Sequence, residues 1–353
     1  MKLLLISNMY PSEKHSNYGV FVKNSETALK KNTDIIIRKV VIKGRTKSKA
    51  IKLLSYLRFY LASIFEITFS KYDIVYFHYI SHNLPLVLWA KFLKRKIVIN
   101  VHGTDVLAKR NNKIESLILK SAKETNLIVT PSRYYLDVVK KKYGVRKEKI
   151  FVSPSGGINT KVFLVINTAL NINSVTEIGF VSRIDKDKGW DDFVKALEAI
   201  IYENPHIKIK AHIIGDGAET NQLNQLIISK GFFKLYGNLG QVELVRILNQ
   251  CNVFVFPTKR KTESLGLVGV EAMACGLPVI GSKIGGLETY IKDGFNGYFF
   301  EPGNIHELKK KILKYIDLDI KEKEIMRENA LNTAHNYDSS VVSKNLYKRL
   351  LEL

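Results

Sequence analysis

The chain has 353 residues, 46% of them hydrophobic and 25% charged, a balance that excludes general disorder and at this length favours two domains over one core. Eight prolines and 22 glycines exclude a fibrous or low-complexity protein, and the two cysteines, Cys251 and Cys275, exclude a disulfide scaffold or a cysteine-based zinc site. The net charge of +22 is unevenly spread: residues 1–160 carry 30 Lys and Arg against 10 Asp and Glu, whereas residues 161–353 carry 25 against 23. The excess is therefore a property of one surface, and it suits nucleic acid, anionic lipid or a phosphorylated small molecule.

The opening run Leu3–Ser7 is too short and too soon broken by Asn8 for a signal peptide, and it reads as a first strand of a cytoplasmic chain. A loop and a helical pattern from Val20 to Lys31 follow. Ile35–Ile42, Ile74–His78, Ile97–Val101 and Leu127–Thr130 are short apolar runs rich in β-branched residues, separated by segments of helical length. The greasiest stretch, Leu53–Phe69, is interrupted by Arg58 and Glu66 and is expected to be a buried helix of the sheet, not an inserted anchor. Leu84–Leu93 is also too short to cross a bilayer, which takes about 20 apolar residues. Continuous apolar runs indicate strands buried on both faces, as in a parallel sheet covered by helices, and the strand–helix alternation argues for a doubly wound α/β domain.

Two polar, turn-rich stretches, Ser153–Gly157 and Asn167–Ser174, read as the interdomain linker. The alternation then restarts with Glu177–Val181, Ile207–Ile214, Phe233–Leu235, Val253–Phe256 and Pro278–Gly281. The expected organisation is a first domain over 1–160, a second over 161–336, and a closing helix at about 337–353 that packs back on the first. Open parallel sheets bind ligands beyond the carboxyl ends of their strands, so two such domains would face each other across a cleft lined by strand tips.

Polar and glycine clusters sit at those tips. Arg183 and Lys188 follow Glu177–Val181, where two cations and the start of the next helix can neutralise a diphosphate. Asp185 and Asp187 have a spacing that would hold a metal, but they lie among lysines, and no metal site is expected. Gly215-Asp216-Gly217 and Tyr236-Gly237 permit close backbone approach after the next two strands. The densest cluster is Thr262-Glu263-Ser264-Leu265-Gly266-Leu267 running on to Glu271 and Gly276. Consecutive amides there open a helix and suit an anion, and carboxylates such as Glu263 and Glu271 accept paired hydrogen bonds from sugar or ribose hydroxyls. In the first half, His102 and Asp105 directly follow Ile97–Val101; His78 and His82 also follow a strand, and a structural role suits them better.

These residues carry a resemblance. The run from Glu263 through Glu288, with Arg183…Lys188-Gly189, Gly215-Asp216-Gly217 and Gly294-Phe-Asn-Gly297 in order, is similar to the signature of family 4 glycosyltransferases, retaining sugar transferases of the GT-B fold. In the first half, Tyr18-Gly19-Val20, His102-Gly103-Thr104-Asp105 and Thr130-Pro131-Ser132 resemble members that build capsule, teichuronic-acid or lipopolysaccharide-type glycans. The resemblance implies two Rossmann-like domains and a metal-independent hexosyl transfer, with no cofactor, from a nucleotide-diphosphate sugar to a glycan or lipid-linked acceptor. Arg183 and Lys188 would clamp the diphosphate, Glu271 the ribose, and Glu263 the donor sugar. The amides of Ser264, Leu265, Gly266 and Leu267 would cap the distal phosphate, with Gly19, Gly215 and Gly237 allowing close approach. His102 would hydrogen-bond the sugar and steady its developing positive charge. The sequence departs from the family at Ser155-Gly156-Gly157-Ile158-Asn159, where Pro-Asn-Gly-Val-Asp is usual.

The basic residues Lys43, Arg45, Lys47 and Lys49, with Lys91, Lys94, Arg95 and Lys96, predict peripheral docking of the first domain on the anionic inner face of the cell membrane. A nucleotide-sugar epimerase of the same fold is the nearest rival. A nucleic-acid-binding protein lacks any recognisable motif or interleaved aromatics, and a dinucleotide dehydrogenase lacks Gly-x-Gly-x-x-Gly after the first strand.

Overall fold

A computed structural model describes residues 1–15, 18–108, 112–166 and 175–353; the expected linker segment Asn167–Ser174 lies outside the described residues. The chain divides into two compact units, Met1–Gly157 with Ser339–Leu353, and Ile158–Asp338.

In the first unit, strands β1 (Lys2–Tyr10), β2 (Ile36–Lys43), β3 (Ile74–His78), β4 (Ile97–Asn100), β5 (Leu127–Thr130) and β6 (Ile150–Val152) form a parallel six-stranded sheet in the order β2-β1-β3-β4-β5-β6. Alternate residues of one strand feed opposite cores. Leu4, Ile6, Val75, Phe77 and Ile99 pack on one face, and Leu3, Leu5, Tyr76, Val98 and Val129 on the other. This two-sided burial is why the strands read as unbroken apolar runs. The closing helix Ser339–Leu351 belongs to this unit: Leu346 and Leu350 join the core of Val22 and Leu29, and Asn32 donates to the Ser343 hydroxyl at 3.0 Å. The helix Lys49–Phe69 departs from expectation. Only Phe59, Ser63 and Ile67 of it are buried, because apolar residues surround the whole helix and the sheet covers one side.

In the second unit, β7 (Val175–Val181), β8 (Lys208–Ile214), β9 (Phe233–Leu235), β10 (Val253–Phe256), β11 (Val279–Ser282) and β12 (Gly297–Phe300) form a parallel six-stranded sheet in the order β12-β11-β10-β7-β8-β9. The chain runs outward from β7 to β9 and then returns to place β10 on the other side of β7. Strand order therefore reverses between β7 and β10, and the carboxyl ends of these two strands flank the crevice where open α/β sheets bind ligands. The equivalent reversal in the first unit falls between β1 and β3.

Candidate functional site

The loops beyond β7, β8 and β10 are packed backbone against backbone. Gly189 has φ +74° and opens the helix Trp190–Glu203; a Cβ there would lie 1.9 Å from the Pro257 carbonyl oxygen. Gly215 has φ +134°, and its Cβ would lie 1.8 Å from the Ser182 oxygen. Both positions exclude any side chain and hold the strand tips within contact of each other. Hydrogen bonds complete the frame: the Ser182 amide donates to Ile214, Gly215 to Gly237 and Glu219 to Ile184.

Within this frame the Lys188 ammonium donates to the Glu263 carboxylate at 2.7 Å, with the two side chains only 11% and 13% exposed. Thr258, fully buried at the tip of β10, places its hydroxyl 3.4 Å from the same carboxylate oxygen and 3.4 Å from the Asp187 carbonyl. The structure thus joins the expected diphosphate ligand directly to the expected sugar ligand. Arg183 stands apart from them, in an exposed ion pair with Asp185 at 2.7 Å. Asp185 also accepts from the Ala218 amide, and Asp187 lies 3.8 Å from Arg260, so both carboxylates already face cations or amides.

After Glu263 the chain crosses Gly285 and Gly286, whose missing side chains make room for the Glu263 and Ser264 carbonyls. Gly286 donates to the Glu263 carbonyl at 3.1 Å, and buried Tyr290 donates to that of Gly266 at 3.2 Å. The Leu265 side chain is fully buried in the core and anchors the turn. Gly266, left-handed at φ +75°, then starts the helix Leu267–Ala274. Among the described residues, the amides of Ser264, Leu265, Gly266 and Leu267 donate to no carbonyl or side chain. They form a group of donors at the positive end of a helix. Glu271 lies one turn into this helix, and burial pushes its carboxyl up to about 7. Gly237, at φ +65°, has open space where a side chain would be.

In the first unit, His102 follows β4, and its backbone amide donates to Asp105 at 2.9 Å. Its Nε2 is not open: it lies 2.9 Å from Nδ1 of His78 at the end of β3, and the two rings meet edge to edge, nearly coplanar, with an interplanar angle of 13°. Phe21 and Tyr79 pack against the His102 ring at 4.5 and 4.8 Å. Burial keeps both imidazoles neutral. It pulls His78 down to about 3 and His102 well below its usual value, with His78 adding to the effect on His102. His78, for which a structural role was expected, is therefore the immediate partner of His102. The signal was the parallel register, which sets His78 opposite Asn100 on the neighbouring strand, two residues before His102. The His82 Nδ1 lies 3.3 Å from the hydroxyl of the adjacent Ser81. Gly19 has φ +70° and caps the helix Val20–Asn32; a Cβ there would meet the Met9 carbonyl carbon at 2.7 Å, so the unit's own packing demands glycine.

Two family models match the chain: "Glycosyltransferase Family 4" over residues 16–160 and "Glycosyl transferases group 1" over residues 169–333. Together they account for most of the sequence. The chain belongs to the family 4 glycosyltransferases. Among similar proteins is the capsular polysaccharide biosynthesis glycosyltransferase CapM of Staphylococcus aureus, 28% identical over 53% of this chain and 50% of that protein. Another is the N-acetyl-alpha-D-glucosaminyl L-malate synthase of Bacillus anthracis, 26% identical over 66% and 62%. The chain spans half to two-thirds of the length of the curated relatives it matches first. Anabaena HepE, solved in complex with UDP, superposes over 100% of both chains with a TM-score of 0.77 at 18% identity, which establishes the GT-B fold for this family 4 chain.

Proposed function

We propose that the protein is a retaining, metal-independent glycosyltransferase that moves a sugar from a nucleoside diphosphate to a hydroxyl of a glycan or lipid-linked acceptor in cell-surface polysaccharide synthesis. The observation that carries this reading is the adjacency of Lys188 and Glu263, 2.7 Å apart, to the unsatisfied amides of Ser264–Leu267. One fixed loop system offers a cation and amides to a diphosphate and a carboxylate to sugar hydroxyls. On donor binding, Lys188 exchanges its carboxylate for the diphosphate, and Glu263 is released to accept from the sugar. Glu271 accepts from the ribose hydroxyls, and Arg183 leaves Asp185 for the outer phosphate.

As the glycosidic C–O bond lengthens, negative charge grows on the diphosphate, where Lys188, Arg183 and the amides already point. The acceptor hydroxyl attacks the oxocarbenium-like carbon from the face the diphosphate leaves, its proton passing to a phosphate oxygen, so the anomeric configuration is kept. Neutral His102, held by His78, hydrogen-bonds the donor sugar and steadies its positive charge. For the acceptor, the first unit offers a cavity of about 780 Å³ beyond the ends of β1 and β2, lined by Lys14, Lys23, Lys43 and Arg45 with Glu13. It suits an acceptor bearing phosphate or carboxylate.

The relative named for capsular polysaccharide biosynthesis supports the pathway, and the neighbour bound to UDP supports the donor class. The test is a calorimetric screen of nucleotide sugars, followed by NMR of the product made with EDTA present. Binding of one donor and a product of unchanged anomeric configuration are expected. An inverted product, dependence on added metal, or isomerisation of the donor alone would each overturn the reading.

A further inference from the structure

We propose that the helix Lys49–Phe69 is an interfacial anchor whose outer face inserts into the headgroup–acyl boundary of an anionic phospholipid bilayer. Leu53, Leu57, Leu61, Phe65 and Phe69 follow one another at four-residue intervals and are 54–73% exposed. Residues four apart lie one above the next on a helix, so these five form a single ridge. Ile51, Leu54 and Ile64 broaden it. The neighbouring helix Ile80–Phe92 adds Phe92, 75% exposed, and Leu88, and is tied in by a 3.0 Å hydrogen bond from the Trp89 indole to Thr68. Soluble proteins rarely leave so large a contiguous apolar patch facing water.

Charge identifies the occupant. Between residues 41 and 72 the cations are Lys43, Arg45, Lys47, Lys49, Lys52, Arg58 and Lys71, and the one acid is Glu66. That acid is half-buried and already bonded to Arg38, Ser70 and Tyr72. An apolar ridge rimmed by lysine and arginine fits acyl chains below and phosphate headgroups around it. A second copy of the chain fits poorly, because a two-fold contact would set the same cations against each other. The helix also cannot turn to span the bilayer. Its inner side is fixed by buried Phe59, Ser63 and Ile67, and Arg95 bonds the carbonyls of Ile67, Thr68 and Ser70 at its end. Among the described residues no helix is long and apolar enough to cross a membrane. The helix therefore lies flat, with its outer half in the lipid. The basic residues alone would give salt-sensitive docking; the ridge adds an apolar component that salt does not screen.

The experiment is flotation of the full chain with vesicles of phosphatidylethanolamine and phosphatidylglycerol, at low and high salt, beside pure phosphatidylcholine vesicles. Wild type should float with the anionic vesicles and keep a substantial fraction bound at high salt. Leu57→Asp/Leu61→Asp should lose the salt-resistant fraction at least about tenfold, with thermal midpoint and nucleotide-sugar binding unchanged. Lys47→Glu/Lys49→Glu should lose chiefly the low-salt gain. Absence of wild-type flotation at low salt refutes the anchor, as does equal salt-resistant flotation of the aspartate variant. Sedimentation of wild type as a dimer that the aspartate pair dissociates would assign the face to a second copy instead. Donor binding, read separately by calorimetry, distinguishes failure of the anchor from failure of the transferase reading.

Discussion

Breaking the Lys188–Glu263 pair from one side tests both the fold and the site. At 2.7 Å the Coulomb attraction is about 6 kcal/mol for an effective dielectric near 20, most of it offset by desolvation of two groups that are nearly buried. Lys188→Met leaves a carboxylate with little solvent and only a 3.4 Å contact to Thr258, so the second unit should lose about 3 kcal/mol. Glu263→Leu strands the ammonium at a similar cost. The double variant removes both charges and should recover about 2–3 kcal/mol of the summed loss. Denaturant unfolding followed by Trp190 fluorescence in a Trp89→Phe background reads this unit, since Trp190 is buried two residues after Lys188. Calorimetry on the same proteins should show donor affinity down about 10–100-fold for Lys188→Met, about 1.4–2.8 kcal/mol. Additive stability losses, within about 0.5 kcal/mol, would mean that the pair is not formed in solution and that the exchange of Lys188 from Glu263 to diphosphate is wrong.

Three further outcomes follow from the same geometry. The Glu271 carboxyl is raised by burial to about 7, so its ionisation destabilises the folded state. Stability should fall as pH rises from about 4.5 through 7, and Glu271→Gln should recover up to about 3 kcal/mol at pH 8 in denaturant titrations. Donor affinity should rise over that window, because ribose hydroxyls donate best to the carboxylate. The histidine pair has the opposite sign: with His78 near 3, each buried imidazole costs about 1.4 kcal/mol per pH unit as pH falls below about 6.5, and urea midpoints between pH 4 and 7 should show His78→Asn less acid-sensitive. His78→Asn should also lower kcat about tenfold with little change in KM. Finally, Gly215→Ala would set a Cβ 1.8 Å from a carbonyl, whereas Gly237→Ala meets nothing within 4 Å. Thermal melting should show the first costing more than about 3 kcal/mol and the second about 1 kcal/mol, the left-handed penalty alone.

The strands were legible because a doubly covered parallel strand must be apolar at every position. Ile74–His78, Leu127–Thr130 and Val253–Phe256, buried at every position, occupy the residues their apolar runs mark. Two edge strands escaped. β6 is three residues long, and β12 opens on Gly297 within a turn-like Gly-Phe-Asn-Gly run, so neither offers a run long enough to stand out. The glycines and charges at the tips of β7, β8 and β10 were equally visible, since only glycine tolerates the backbone contacts found there.

Residue order along the chain thus determined two parallel sheets and the loops that carry polar groups at their ends, because burial and backbone sterics act on consecutive residues. It did not determine which of those groups meet. Lys188 found Glu263 across 75 residues and His78 found His102 across 24, pairings set by strand order and register. The face of Lys49–Phe69 left to solvent was likewise a tertiary matter: a helix apolar all round carries no mark of which side the sheet will cover, and only packing chose it.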